Sequence, residues 1–163
     1  MYTSALLLAL ATYSAHAGIL SVSPRWVNDY SLAYERGQKE RKPLAVFVGT
    51  GPQGWDRLSR EGRLGKEIEQ ILGVKYVCVY LDTDKEENQK LASSFDLTHQ
   101  RGLIISDQSG AKQAFRAEEA LSSVELARSL KKYADPDFVV TTTETPVRPV
   151  TIVPAPTIRV QSC

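Results

Sequence analysis

Between Pro24 and about Pro136 the apolar residues fall into runs and periodic sets, and these predict the elements. Trp26, Tyr30, Ala33 and Tyr34 recur at helical intervals, which predicts an amphipathic helix opening at Pro24 and ending at Gly37. Pro43 then leads into Leu44-Ala45-Val46-Phe47-Val48, an unbroken apolar run that reads as a strand buried on both faces. A glycine-rich loop, Gly49 to Gly54, separates it from a second predicted helix over Asp56 to Leu72, with Leu64, Ile68, Ile71 and Leu72 inward and Gly73 as its stop. Lys75 to Leu81 is β-branched and aromatic, hence a second buried strand. Asp82 or Asp84 is expected to cap a third helix over Lys85 to Phe95, with Leu91 and Phe95 inward. Leu103-Ile104-Ile105 predicts a third strand, Asp107-Gln108-Ser109-Gly110 a turn, and Lys112 to Phe115 an antiparallel fourth. Ser122 with Glu125 has the spacing of a capping box, and opens a last helix that carries Val124, Leu126, Leu130 and Tyr133 and stops before Pro136.

The predicted order is α-β-α-β-α-β-β-α. Strands joined through helices are expected to run parallel, with right-handed crossovers, and the closing hairpin adds an antiparallel edge. The expectation is an α/β fold: a three-layer α/β/α sandwich with a mixed four-stranded sheet.

The two ends have a different character. Leu6 to Ala11 is a short apolar core, and Ala15-His16-Ala17 has the small-residue form of a cleavage site. Residues 1–17 are therefore expected to be an export signal, although no Lys or Arg precedes the apolar core. The run is too short to span a bilayer, and no membrane segment is expected after cleavage. From Val139 to Cys163 the chain holds four of its eight prolines, which disfavours a helix or a central strand. The expectation is a domain over 18–136 and an extended Thr/Pro-rich tail over 137–163.

Composition narrows the chemistry. With 20 Lys+Arg against 19 Asp+Glu, the chain lacks the basic surplus of a dedicated nucleic-acid binder, so no nucleic-acid partner is expected. Two cysteines, Cys78 and Cys163, are too few for a Cys-rich zinc site and too far apart for a CxxC pair or a haem-attachment motif. No metal site and no cofactor is expected. Cys78 lies inside an apolar strand and reads as a small hydrophobe of the core. Cys163 ends the tail, where an exported protein would meet an oxidising compartment, and is the candidate for an intermolecular disulfide linking two copies.

The core resembles the thioredoxin-like superfamily, in particular its exported single-domain members. Three segments carry the resemblance: Trp26…Tyr30…Ala33 leading into Lys42-Pro43-Leu44-Ala45-Val46-Phe47-Val48; Val77-Cys78-Val79-Tyr80-Leu81-Asp82; and Phe95-Asp96-Leu97 followed by Leu103-Ile104-Ile105-Ser106-Asp107-Gln108-Ser109-Gly110. The departures matter as much. The family's CxxC pair follows the first core strand at the start of a helix, where the helix dipole lowers a thiol pKa. This chain has Gly49-Thr50-Gly51-Pro52-Gln53-Gly54-Trp55 there, without sulfur. The family's proline, usually cis, falls at Arg101, followed by Gly102. Thiol–disulfide exchange requires an attacking thiolate and a second thiol to resolve the intermediate. The resemblance therefore implies the fold without the reaction.

These readings converge on a binding or scaffolding module of the cell envelope or periplasm, with no catalytic residue assigned and with a protein or peptide as partner. The loop residues Gly51, Pro52, Gln53 and Trp55, with His99 and Arg101 before the third strand, form the candidate contact surface. Two other readings compete. Gly49-x-Gly51-x-x-Gly54 matches a dinucleotide-binding fingerprint with Asp82 ending the next strand, but Pro52 removes an amide and the chain supplies too few βαβ units. Single-thiol chemistry at Cys163 is the other enzymatic route, and the tail itself is a third candidate for the interacting element. His99 as a lone general base has no nucleophile placed beside it by any motif. The mixed-sign runs Lys39 to Lys42 and Asp84 to Glu87 read as solvated faces.

Overall fold

The computed structural model describes residues 23–146. The signal-like residues 1–17, Pro149, Pro154, Pro156 and Cys163 lie outside the described residues. Ten elements follow one another: β1 (Trp26–Val27), α1 (Tyr30–Glu40), β2 (Leu44–Gly49), a 3-10 turn (Gly54–Leu58), α2 (Lys66–Lys75), β3 (Val77–Asp82), α3 (Glu86–Ser94), β4 (Gly102–Ser106), β5 (Gln113–Ala117) and α4 (Ser123–Tyr133).

The sheet is mixed, as expected, but has five strands in the order β1-β3-β2-β4-β5 instead of four. The additional strand is β1, and it corrects the reading of the N-terminal helix. Trp26 and Val27 pair in parallel with Cys78 and Val79 on β3. The helix starts only at Tyr30, because the Asp29 carboxylate accepts the Leu32 amide at 3.0 Å and fixes the N-terminus there. Trp26 thus packs on one face of the sheet, while Tyr30, Ala33 and Tyr34 pack on the other. The helix also runs past Gly37, which is buried within it, and ends where Arg41 adopts φ 52° and donates its amide to the Gly37 carbonyl.

A second correction concerns strand direction. β2 and β3 are parallel in register from Leu44↔Val77 to Gly49↔Asp82, but β4 is antiparallel to β2, with Val48 opposite Gly102. The helical connection through α3 returns the chain to the sheet end it left. β3 exits at Asp82, next to Gly49, and β4 enters at Gly102, next to Val48. Nine helical residues rise only about 14 Å, and the Phe95–Arg101 loop then turns back toward the same end. A helix between two strands forces parallel pairing only when it carries the chain from one end of the sheet to the other. The C-termini of β2 and β3 and the start of β4 consequently share one end of the sheet.

Helices cover both faces. Ile68 and Leu72 of α2 and Leu126, Ala127 and Leu130 of α4 pack with Phe47, Tyr80, Leu103 and Ile105. Ala33 of α1 and Ala92 of α3 pack with Val46, Val48, Val79 and Ile104 on the opposite face. β2 and β3 are buried on both faces, which explains their unbroken apolar runs. The second predicted helix divides into the 3-10 turn and α2, and α2 passes through Gly73 to Lys75. The Ser122–Glu125 capping box forms with both reciprocal bonds. Lys85 occupies the N-cap of α3 without a side-chain cap bond, so neither Asp82 nor Asp84 caps it.

Beyond α4 the chain turns at Asp135 to Asp137 and comes back along β5, where Glu144 forms a parallel bridge with Phe115. The first residues of the Thr/Pro-rich stretch are thus laid against the sheet edge. Among the described residues, no helix is long and apolar enough to cross a membrane.

Candidate functional site

The loop after β2 is built from beneath by β3. Side chains at alternate positions of a strand share a face, and at the end of β3 the pair is Tyr80 and Asp82. The Tyr80 hydroxyl donates to the Gly51 carbonyl and accepts the Gly54 amide at 3.1 Å. Asp82 Oδ1 accepts the amides of Gly51 at 2.9 Å and Asp84 at 3.2 Å. The Thr83 amide and hydroxyl both donate to the Gly49 carbonyl, at 2.8 and 3.2 Å. The loop's backbone is therefore tied down along most of its length by groups of β3 and the residue that follows it.

Two glycines are required by this clamp. Gly51 has φ +81°, a left-handed conformation that side chains with a Cβ disfavour. At Gly54 a Cβ would lie 2.2 Å from the Tyr80 hydroxyl oxygen. The glycine spacing that matches a nucleotide fingerprint is accounted for by the loop's own turn and by its close approach to Tyr80. Burial, followed by the neighbouring Asp82 charge, holds the Tyr80 hydroxyl above the ordinary tyrosine range, so it remains a protonated donor at neutral pH.

Trp55 points inward. Its ring stacks on Trp26 with centroids 4.9 Å apart and meets Tyr80 edge-on at 4.8 Å, and Trp26 in turn meets Phe47 edge-on at 5.1 Å. The four rings form a continuous aromatic set under the loop. Gly51, Pro52 and Gln53 line an open concavity of about 440 Å³ together with Thr50, Asp56 and Arg57, and Pro52 and Gln53 are exposed.

His99 and Arg101 are exposed. His99 lines a different concavity of about 360 Å³, whose walls carry Arg60, Arg116, Glu118 and Glu125. Arg101 immediately precedes Gly102, beside the end of β2, and lines neither concavity. Among the described residues, no hydrogen bond or ring contact joins His99 or Arg101 to the Gly51–Trp55 group. The six predicted site residues thus fall into an outward loop tip, an inward tryptophan and a separate flank. Tyr80 and Asp82, which build the loop, escaped the sequence reading as loop determinants. Their signal was an aromatic and an acid two positions apart at a strand end, following a glycine-rich loop.

Cys78 sits in the middle of β3 with 2% of its surface exposed, and its Sγ lies 3.6 Å from the Leu72 carbonyl oxygen. Burial pushes its thiol up to about 12, the opposite of what a nucleophilic cysteine needs. Among the described residues there is no cluster of three or more His, Cys, Asp or Glu that fits a metal ion.

No family model matches the chain, and a search of curated proteins found no match. Solved structures do match. A structure described as a DsbH oxidoreductase is similar over 79% of this chain and 93% of its own, at 17% identity and a TM-score of 0.53. A thioredoxin from Thermus thermophilus is similar over 67% of this chain and 85% of its own, at 19% identity and a TM-score of 0.52. With helices on both faces of a mixed sheet whose central strands are β2 and β3, the chain has a thioredoxin-like fold.

Proposed function

We propose that the protein is an exported thioredoxin-like domain that binds a protein or peptide partner in the cell envelope and carries out no thiol–disulfide exchange. The observation that carries this reading is the construction of the Gly49–Trp55 loop. By the resemblance it falls where the thioredoxin-like family holds its two thiols; it contains no sulfur, and Tyr80 and Asp82 use its backbone groups for support. The loop enters a five-residue 3-10 turn, and α2 begins only at Lys66, so no long helix dipole addresses the loop. Cys78 offers no substitute, because its thiol is buried and stays protonated.

Two loop amides already donate to Asp82 and Tyr80, and the Asp82 carboxylate puts a negative charge against the loop that would repel a phosphate. That favours a structural loop over a nucleotide cradle. The apolar run with its Ala15-His16-Ala17 site supports export. The exposed tip, Pro52 and Gln53 beside Arg57, supports contact with a polar, extended partner chain.

Reduction of insulin disulfides by the full-length protein tests the redox part. The expected rate equals that of the buffer with reductant alone, and a robust catalysed rate would overturn the reading. The same assay on Cys163→Ser tests whether the terminal thiol contributes: wild-type turnover that disappears in this variant would assign single-thiol chemistry to Cys163. For the binding part, extracts of the cell envelope passed over immobilised wild-type chain and over a Pro52→Asp/Gln53→Asp chain are compared. The expected result is a partner retained by the first and lost by the second.

A further inference from the structure

Residues 137–146 cover the only side of β5 that is not paired with β4. The cover is short and depends mainly on one residue. The Glu144 amide donates to the Ala114 carbonyl and the Arg116 amide donates to the Glu144 carbonyl, both at 2.9 Å. Thr143 adds a hydroxyl bond to the Gln113 carbonyl at 2.8 Å. The Glu144 carboxylate receives the Lys132 ammonium at 2.6 and 2.7 Å. Behind it, Phe138 meets the Tyr133 ring edge-on at 5.4 Å, with Lys132 over its face at 4.9 Å. Pro146 lacks an amide and cannot donate the next bond of such a ladder.

The edge beneath has modest protection of its own: β5 reads Gln-Ala-Phe-Arg-Ala, five residues with one charge, Arg116, and a register shift at Ala114, while Ala114, Phe115 and Ala117 are buried. Open, fairly apolar strand edges pair with other strands unless something blunts or covers them. A second β5 fits this one by symmetry. With a two-fold axis at Phe115, Ala114 of each copy lies opposite Arg116 of the other. That antiparallel register returns a partner to the Ala114 carbonyl and the Arg116 amide, the two groups that Glu144 now satisfies. It also places each arginine opposite an alanine and leaves the two arginines as diagonal neighbours, each with Asp96 of its own chain as a counter-charge at 3.6 Å.

We propose that residues 137–146 are a latch that shields the β5 edge, and that its release turns this edge into a self-association surface for a second copy of the chain. The proposal does not depend on the redox reading. It also gives the C-terminal segment a task at the domain itself, whatever the remaining tail does.

The test uses the full-length chain carrying Glu144→Pro, which removes both the amide that bonds Ala114 and the carboxylate that meets Lys132. Two quantities are read: hydrogen exchange at the Arg116 amide in dilute solution, and mass by sedimentation across a concentration series. The expected result is at least a roughly tenfold loss of Arg116 protection, unchanged protection at Val46, and a monomer–dimer equilibrium absent from the wild type. An excess of a peptide spanning residues 137–146 returns the variant to monomer, and so does adding Arg116→Pro, whose lost amide points away from β4. A variant that frees the Arg116 amide yet stays monomeric overturns the self-association. Retained Arg116 protection overturns the latch. A dimer that persists in the Arg116→Pro background belongs to another surface and overturns the assignment to β5. Should Glu144→Pro misfold, Glu144→Ala carries the test, with a several-fold loss of Arg116 protection expected and an unchanged value counting against the latch.

Discussion

The Gly49–Trp55 loop and the 137–146 latch are both irregular segments laid against the same sheet, and both are held through their backbones. They differ in what holds them. The loop is clamped by Tyr80 and Asp82, which rise from a central strand buried on both faces, and by an aromatic set in which Phe47, Trp26, Trp55 and Tyr80 touch in that order. The latch is pinned from the surface by Lys132 and by two bridge bonds at an edge strand. A clamp that starts in the core can move only with the core, whereas a surface pin opens locally. The loop after β2 is thus expected to open only with the core, and the 137–146 segment ahead of it.

The comparison breaks most visibly at Gly54. A methyl group there lies 2.2 Å from the Tyr80 oxygen and 3.3 Å from the Gly49 carbonyl carbon, so the hydroxyl and the loop must separate. Gly54→Ala is expected to destabilise the whole domain by about 3 kcal/mol, through overpacking and loss of the Tyr80 bonds. Chemical denaturation followed by tryptophan fluorescence measures it. A loss confined to a few tenths of a kcal/mol would mean that the loop is as compliant as the latch.

Tyr80→Phe is the next step down. The ring stays and the hydroxyl goes, leaving the Gly51 carbonyl and the Gly54 amide without their present partner. A loss of about 1–2 kcal/mol is expected, with the Trp55 environment preserved. Asp82→Ala removes the acceptor of the Gly51 and Asp84 amides and is expected to cost about 1 kcal/mol, as for a lost helix cap. Hydrogen exchange should show the Gly51 amide opening ahead of the sheet. If Asp82→Ala were costlier than Tyr80→Phe, the clamp would rest chiefly on the Asp82 carboxylate and not on the Tyr80 hydroxyl.

Much of this was legible in the chain. The buried strands β2 and β3 and the inward Ile68, Leu72, Leu126, Leu130 and Tyr133 follow from apolar spacing, and the Ser122 capping box from its Ser-x-x-Glu spacing, whereas Val124, expected with the α4 set, faces solvent. Trp26 was misread because a two-residue strand has no periodicity of its own, and its aromatic ring falls by chance on the repeat of the helix that follows. The direction of β4 was misread for a different reason. Whether a short helix carries the chain across a sheet or returns it to the same end depends on the turn after it, here Phe95 to Arg101, whose path no hydrophobic pattern encodes. The candidate site was legible by position but not by construction. His99 and Arg101 are close to the loop in order along the fold, yet His99 turns to the flank that Arg116 and Glu118 share. The docked segment was hidden by its prolines, which exclude a central strand but leave room for a single bridge at an edge.

The smallest effect separates the latch from the loop by its pH dependence. Lys132 first, and the Tyr133 hydroxyl after it, hold the Glu144 carboxyl below its ordinary range. A carboxylate whose folded pKa is depressed contributes fully above its unfolded value and loses that contribution as the pH falls through the folded one. The Arg116 protection factor is therefore expected to be flat near neutrality and to fall as the pH drops below about 4.5, the unfolded value for Glu144. Val46, inside β2, should hold its protection over the same range until the domain as a whole begins to unfold. Glu144→Gln keeps the shape and the backbone bonds but carries no titrating group, so its Arg116 protection should be lower at neutral pH and independent of pH across that interval. The interaction is exposed to solvent, so added salt should move the wild type toward the glutamine variant. A wild type and a Glu144→Gln chain with the same acid slope at Arg116 would show that the segment opens only with the domain, and the contrast between a core-clamped loop and a surface-pinned latch would then disappear.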